Sequence, residues 1–388
     1  SLHDALPISS DEFDFPEISE NTPATLCYTS GTTGNPKGVI FTHRELVMHS
    51  IATGFQTGLY KDQMDSKSDS VYMPLTPMFH VQAWTSPYLF YMLGCKYVLP
   101  GKFEPLKILR LIHKEKVNIA CCVSTILHML IFRKDIENFN LKGLNVCVGG
   151  AKLTQQIAMK CLKLGIHAIS YYGMTETGPG IASGQVRPEF YDLSEEDKYS
   201  YYVRAGLPWP WCKIKIVNED FMEVSQGCIG EIVVRSPWAS HEYYKEPEMT
   251  ATLWKNGWLH TEDLGYIDDE GYLILTDRIK DVIKSGGEWI STLAIEDLAS
   301  SHPDVLECAA IGIPDIKWSE RPFIIIKLKS GAKTTFSEIG EYMLNNCSKC
   351  KVKKWWIPDN DNGFYFVDEI PHNYIGKIDK KQLRKMYG

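Results

Sequence analysis

Between Ala24 and Cys147, short apolar runs alternate with longer stretches in which apolar residues recur every third or fourth position. The runs "TLCYTS", "VYMPL", "KYVLP" and "NVCVGG" are bounded by Gly, Pro or Ser and predict buried strands. The stretches Arg44–Thr57, Pro105–Lys116 and Thr125–Asp135 keep the helical period and predict helices. "NVCVGGAKL" is a strand opening into a Gly–Gly turn, followed by a predicted helix over Thr154–Leu164 and the strand "HAISYYG". Such alternation predicts an α/β layer.

After Pro188 the pattern changes to short alternating strands parted by Gly and Asp turns: "CKIKIV", "GEIVVRS" and "WLHTEDLGYIDDEGYLILTDR". From Asp281 a compact α+β piece follows. It has the hairpin "DVIKSGGEWI", helix Ser291–Ser301, strands "ECAAIGI" and "PFIIIKL", helix Phe336–Asn345, a last strand "YFVDEI" and a Lys-rich tail. The joint falls at Arg278–Asp281. Residues 1–187 are thus expected to form an α/β core, 188–279 a β-rich subdomain of the same N-terminal domain, and 280–388 a small α+β C-terminal domain.

Composition narrows the function. A chain of 388 residues exceeds one typical domain. Its net charge is −7, and basic residues gather only in "KCKVKKWW" and "KIDKKQLRK", too little for the basic face that nucleic acid requires. No run of about 18 apolar residues occurs, so no membrane span is expected; a peripheral membrane contact and a homodimer stay open. Eleven Cys, an odd number scattered through core-like segments, fit reduced thiols and a cytoplasmic protein. Cys347 and Cys350 form a lone C-x-x-C without further ligands, so zinc is not expected.

The chemistry starts at "YTSGTTGNPKGVIFTHREL", Tyr28 to Leu46. Counted from Gly31 as a Walker loop, the second glycine position holds Pro36 and the hydroxyl position holds Gly38, so the register fails. What remains is a run of hydroxyls and glycines, Ser30 to Gly34, then Lys37 and the strand-like Val39–Phe41. Small residues let backbone N–H groups and hydroxyls crowd round phosphate oxygens, and Lys37 adds a point charge.

Three further stretches follow: "YYGMTETGPG", "WLHTEDLGYIDDEGYLILTDRIKDVIKSGGEWIS" and "PHNYIGKIDKKQLR". In this order and spacing the four resemble the adenylate-forming superfamily of acyl-CoA synthetases, peptide-synthetase adenylation domains and luciferases. The resemblance runs from Pro23 to Arg384. "PMFHVQAW", "GGEWIS" and "HPDVLECAAIGIPDIKWSERP" are most similar to medium- and long-chain fatty acid–CoA ligases. A family subdomain that ordinarily precedes the phosphate loop has no counterpart, which implies a chain truncated at its front. The resemblance also implies that the C-terminal domain is a mobile lid.

By this resemblance the expected cofactors are ATP, Mg²⁺ and CoA, and the partner is a small-molecule carboxylic acid. Thr29, Ser30, Gly31, Thr32, Thr33, Gly34 and Lys37 would hold the β- and γ-phosphates, Thr175 the α-phosphate and Glu176 the Mg²⁺. Tyr172, beside Gly173, would lie against the adenine, lined by Gly150 and Ala151, while Asp263 and Arg278 would bind the ribose. Where the family reads Thr-Gly-Asp this chain has Thr261-Glu262-Asp263, so Glu262 is expected to point outward. Lys377 in "YIGKIDK" would bridge carboxylate and α-phosphate. Rotation about Lys280 would replace it with Lys284, Ser285, Gly286 and Gly287 along the pantetheine.

His80 and Trp84 would border the acyl group, the Trp as a gate. Met78 to Tyr88 contains no acid to pair with an amino acid's ammonium, which favours an uncharged acyl chain. A carrier-loading domain is disfavoured because the chain stops eleven residues after Lys377. An aryl- or short-chain acyl-CoA ligase and a non-catalytic nucleotide-binding fragment remain as alternatives.

Overall fold

The computed structural model describes residues 14–29, 36–59, 66–286, 288–350, 352–358, 361–372 and 378–388. It is a mixed α/β protein with a large N-terminal and a small C-terminal domain. Strands β1 (Pro23–Tyr28) and β2 (Gly38–Thr42) pair antiparallel, with Tyr28 opposite Gly38. This ribbon is separate from the main sheet, contrary to the reading of "TLCYTS" as a member of the α/β layer. Strands joined by a short loop pair with each other, because parallel entry into a sheet requires a long crossover. Helix His43–Leu59 follows β2 directly. Glu45 accepts from the Thr42 N–H at 2.7 Å and the Thr42 hydroxyl accepts from the Glu45 N–H at 3.2 Å, closing the helix start reciprocally.

The main sheet contains β3 (Val71–Pro74), β4 (Lys96–Tyr97), β5 (Ile119–Cys122), β6 (Asn145–Gly149), β7 (His167–Gly173), β8 (Gly180–Ser183) and β9 (Leu207–Pro208) in the order β4-β3-β5-β6-β7-β8-β9. Pairing is parallel as far as β7 and antiparallel beyond it. Helices Pro105–Glu115, Ser124–Ile131 and Gln155–Lys163 pack on it, the first burying Ile108, Leu109 and Ile112. The helix expected over Thr125–Asp135 ends at Ile131, where Arg133 turns back onto Asp135 in a two-pronged pair at 2.8 and 2.9 Å.

A second sheet holds β10 (Lys213–Val217), β11 (Gly230–Arg235), β12 (Trp254–Lys255), β13 (Trp258–Ile267) and β14 (Leu273–Arg278). The region after Pro188 is not purely β: helices Glu195–Tyr202 and Pro247–Leu253 interrupt it. The first is capped by the Ser194 hydroxyl and carries Glu195, Glu196 and Asp197 in its opening turn, favourable against the helix dipole. Its three tyrosines are buried, and their β-like chemistry masked the helix.

The C-terminal domain is built on a long hairpin of β17 (Val305–Asp315) and β18 (Ser319–Leu328). The smaller hairpin of β15 (Ile283–Ser285) and β16 (Glu288–Ile290) joins one edge, and β19 (Phe364–Phe366) runs parallel to β18. The Lys-rich tail holds a helix, Lys380–Tyr387. Asp379 caps its start, and Leu383, fully buried, joins Ala309, Ile311, Ile325 and Ile370. No helix among the described residues is long and apolar enough to cross a membrane.

Candidate active site

The ends of β2, β7 and the β13–β14 pair carry the polar residues singled out in the sequence. Thr29 donates its N–H to the Lys37 carbonyl at 2.8 Å, and the Lys37 N–H reaches the Thr29 hydroxyl at 3.5 Å. These two bonds tie Thr29 to Lys37. Ser30, Gly31, Thr32, Thr33 and Gly34 lie outside the described residues. The Lys37 ammonium lies 5.2 Å from the ring centroid of Tyr243.

At the end of β7, Thr175–Thr177 forms a single 3₁₀ turn. Gly173 is required there: a Cβ would stand 1.5 Å from the Pro179 carbonyl oxygen. Thr175 is buried, and Glu176 is only 5% exposed. Glu176 Oε1 accepts from the Tyr243 hydroxyl at 2.5 Å. Burial pushes the Glu176 carboxyl above its ordinary range, against the pull of the Tyr243 bond, Lys37 and Arg278. One buried carboxylate near cations suited to phosphate fits a hard cation that takes its remaining oxygens from phosphate and water. No group of three or more His, Cys, Asp or Glu suited to a protein-only metal cage occurs among the described residues.

Asp263 and Arg278 are register partners on β13 and β14, with Arg278 Nε 3.0 Å from Asp263 Oδ1. The Asp263 carboxylate raises the Arg278 pKa further. Tyr172 donates its hydroxyl to the other oxygen, Asp263 Oδ2, at 3.0 Å. Its ring belongs to the apolar cluster of Ile181, Trp209 and Trp238. Glu262 is exposed, as expected, and its φ is +58°.

Gly150 and Ala151 are exposed just past β6. Trp84 lies across the preceding residue, since a Cβ on Gly149 would be 3.1 Å from its ring. Val81, Ala83, Trp84 and Thr85 all have left-handed backbones, with φ from 47° to 62°. Such conformations are costly for residues with side chains and persist where the surroundings enforce them. His80, immediately before this turn, is partly exposed and bonds through its N–H to the Pro77 carbonyl at 2.9 Å.

Lys280 is partly buried, and burial together with Arg278 lowers its pKa. Lys284 and Gly286 are exposed on the β15–β16 hairpin. Their backbone N–H groups bond within the C-terminal domain, to Glu320 Oε2 at 2.8 Å and to the Trp318 carbonyl at 2.9 Å. Gly287 and Lys377 lie outside the described residues.

Two features escaped the sequence reading. Tyr243, in "HEYYKEPEMT", reaches Glu176 from a segment with no motif of its own. Lys380, read as part of a basic tail, is half-buried and packs against Glu296 at 2.7 Å and Thr292 Oγ1 at 2.6 Å. Neither contact has a local signal, because each partner is remote in the chain.

A family profile described as "AMP-binding enzyme" matches residues 3–244, and "AMP-binding enzyme C-terminal domain" matches residues 294–377. The chain is 35% identical over 382 residues to a long-chain-fatty-acid–CoA ligase of Thermus thermophilus, covering 97% of this chain and 68% of that protein. It is also 35% identical over 378 residues to a 3-methylmercaptopropionyl-CoA ligase of Ruegeria lacuscaerulensis, covering 96% and 67%. The ATP-bound crystal structure of MatB from Rhodopseudomonas palustris superposes with a TM-score of 0.83 at 25% identity, over 100% of this chain and 72% of that one.

Proposed function

The chain belongs to the AMP-binding enzyme family, and on that premise we propose that it is an ATP-dependent, AMP-forming ligase that joins a carboxylic acid, a medium- or long-chain fatty acid, to CoA. The observation that carries this reading is that the Glu176 carboxylate lies within electrostatic reach of both Lys37 and Arg278, the latter paired with Asp263, which also holds Tyr172. A carboxylate for a divalent cation, a cation for phosphate and a carboxylate for ribose hydroxyls are the groups a nucleoside triphosphate requires.

In the first step the acid's carboxylate attacks the α-phosphate, forming an acyl-adenylate and releasing pyrophosphate. Two anions must meet, so electrostatic stabilisation dominates. Segment 29–34 and Lys37 hold the β- and γ-phosphates, Thr175 the α-phosphate, and Lys377 spans carboxylate and α-phosphate. Mg²⁺, held at Glu176, would neutralise phosphate charge. Gly150, Ala151 and Gly173 border the base, with Tyr172 set between base and ribose through its bond to Asp263. In the second step the CoA thiol displaces AMP after the small domain turns about Lys280, bringing Lys284, Gly286 and Gly287 to the pantetheine.

The strained turn at Val81–Thr85, with Trp84 against β6, supports an acyl site there, bordered by His80. The absence of acidic residues from Met78 to Tyr88 supports an uncharged chain. We place the domain limits at 1–187, 188–279 and 280–388. Incubation with ATP, Mg²⁺, CoA and a panel of fatty and aromatic acids tests the reading. AMP, pyrophosphate and a fatty acyl-CoA are expected; ADP, or ATP bound without AMP, would overturn it.

A further inference from the structure

Tyr243 touches both charged groups of the phosphate end at once. Its hydroxyl donates to Glu176 Oε1 at 2.5 Å, and its ring lies beneath the Lys37 ammonium at 5.2 Å. The residue is 5% exposed and fixed on several sides. Its backbone bridges to Val39 of β2, its N–H donates to the Thr250 hydroxyl at 2.9 Å, and Trp254 meets its ring edge-on at 5.5 Å. The next N–H, of Tyr244, donates to the Gly38 carbonyl at 2.7 Å. Three residues earlier, the Ser240 N–H donates to the backbone carbonyl of Glu176 at 2.9 Å. Segment 240–244 is therefore stitched to the strand that leaves the phosphate loop and to the turn that carries Glu176.

A buried carboxylate needs directed donors, and a phenol on a rigid ring supplies one without adding charge. A lysine on a flexible stem is held by an aromatic face that leaves its N–H donors available. We propose that Tyr243 is a positioning residue that sets Glu176 and Lys37 as one unit facing the divalent cation and the outer phosphates of ATP. This rests on the reading of Glu176 as the cation ligand and Lys37 as a phosphate group partner. The two contacts have separable effects: the hydroxyl governs the cation through Glu176, and the ring governs the phosphates through Lys37.

The test is calorimetric binding of Mn²⁺–ATP, and of ATP in EDTA, to the full chain without acid or CoA. Tyr243→Phe keeps the ring and removes the donor. It should weaken Mn²⁺–ATP about tenfold while leaving metal-free ATP unchanged, as expected for loss of a group orienting a metal ligand. Tyr243→Leu should weaken both. In a Glu176→Gln background, Tyr243→Phe should have no further effect on Mn²⁺–ATP. Equal Mn²⁺–ATP affinity in wild type and a folded Tyr243→Phe variant would overturn the proposal alone. A wild-type chain that bound neither form of ATP would overturn the nucleotide-site reading and the proposal with it.

Discussion

Lys380 Nζ stands 2.7 Å from Glu296 Oε1 inside the C-terminal domain, and the helix that begins at Lys380 is tied down through this pair. Burial opposes the lysine's charge, but Glu296, Asp277 and Asp281 outweigh it and hold its pKa above the ordinary value. Arg384, one turn on, pairs with Asp281 at 2.8 Å. Removing one member of such a group strands the others, whereas replacing both partners by apolar residues of similar volume is often tolerated. Lys380→Met is expected to destabilise the domain by about 3 kcal/mol or more, and Lys380→Met with Glu296→Leu by much less. Urea unfolding followed by tryptophan fluorescence would show it; equal losses in the single and double variants would refute it.

Glu262 occupies a backbone conformation suited to glycine. Its φ is +58°, its side chain is exposed, and its backbone already bonds the Ile279 N–H at 2.9 Å. Glu262→Gly removes the steric cost of the left-handed region, offset in part by the greater freedom of glycine in the unfolded chain. A net gain of roughly 0.5–1 kcal/mol is expected. Thermal unfolding should move upward; a fall in midpoint would show that the carboxylate contributes more than the strain costs.

His49 is buried between Trp209 and Trp238, and its Nε2 accepts the Gly180 N–H at 3.2 Å, which requires a neutral ring. Burial lowers its pKa from 6.5 to about 3. Between those values the unfolded chain binds a proton that the native chain refuses. Stability is therefore fully present above the unfolded value and lost as pH falls from 6.5 towards 3. About 2 kcal/mol should be gone by roughly pH 5. His49→Gln, which keeps an acceptor, should flatten that part of the stability profile; an unchanged slope would sink the assignment.

Lys377→Ala should slow acyl-adenylate formation by on the order of a hundredfold, as at other charge-stabilising donors. Thioester formation from a supplied acyl-adenylate should be spared. Pyrophosphate exchange and single-turnover thiolysis measure the two halves separately. Equal losses in both would refute the rotation about Lys280.

The parts of the molecule that were legible in the sequence are those whose cause is local. Strand and helix periods located β3, β6 and helix Pro105–Glu115, because each buries a face determined by its own residues. Glu176, Asp263 and Arg278 stood out through the resemblance of their stretches, in order and spacing, to the adenylate-forming superfamily, since each stretch alone is weak. Partner choice was not local. Nothing in "TLCYTS" states that it pairs with β2 alone, and nothing in "KIDKKQLRK" states that Lys380 meets Glu296. Tyr243 was hidden for the same reason: one tyrosine of an adjacent pair is buried, the other 41% exposed, and only the folded chain distinguishes them.

The crowding of Gly173 against Pro179 divides the molecule into a conserving half and a permissive half. There main chain meets main chain with no room for a side chain, so the spacing between Tyr172 and Glu176 belongs to the backbone itself. Substitutions at Met78–Trp84 can reshape the neighbourhood of the Trp84 ring without reaching that spacing, whereas Thr85, whose buried hydroxyl donates to the Gly178 carbonyl at 2.8 Å, belongs with the fixed part. Directed evolution of the acyl partner should therefore retain glycine at 173 in every active variant while residues 78–84 vary, an asymmetry that deep mutational sequencing would display as one silent column beside a diverse block.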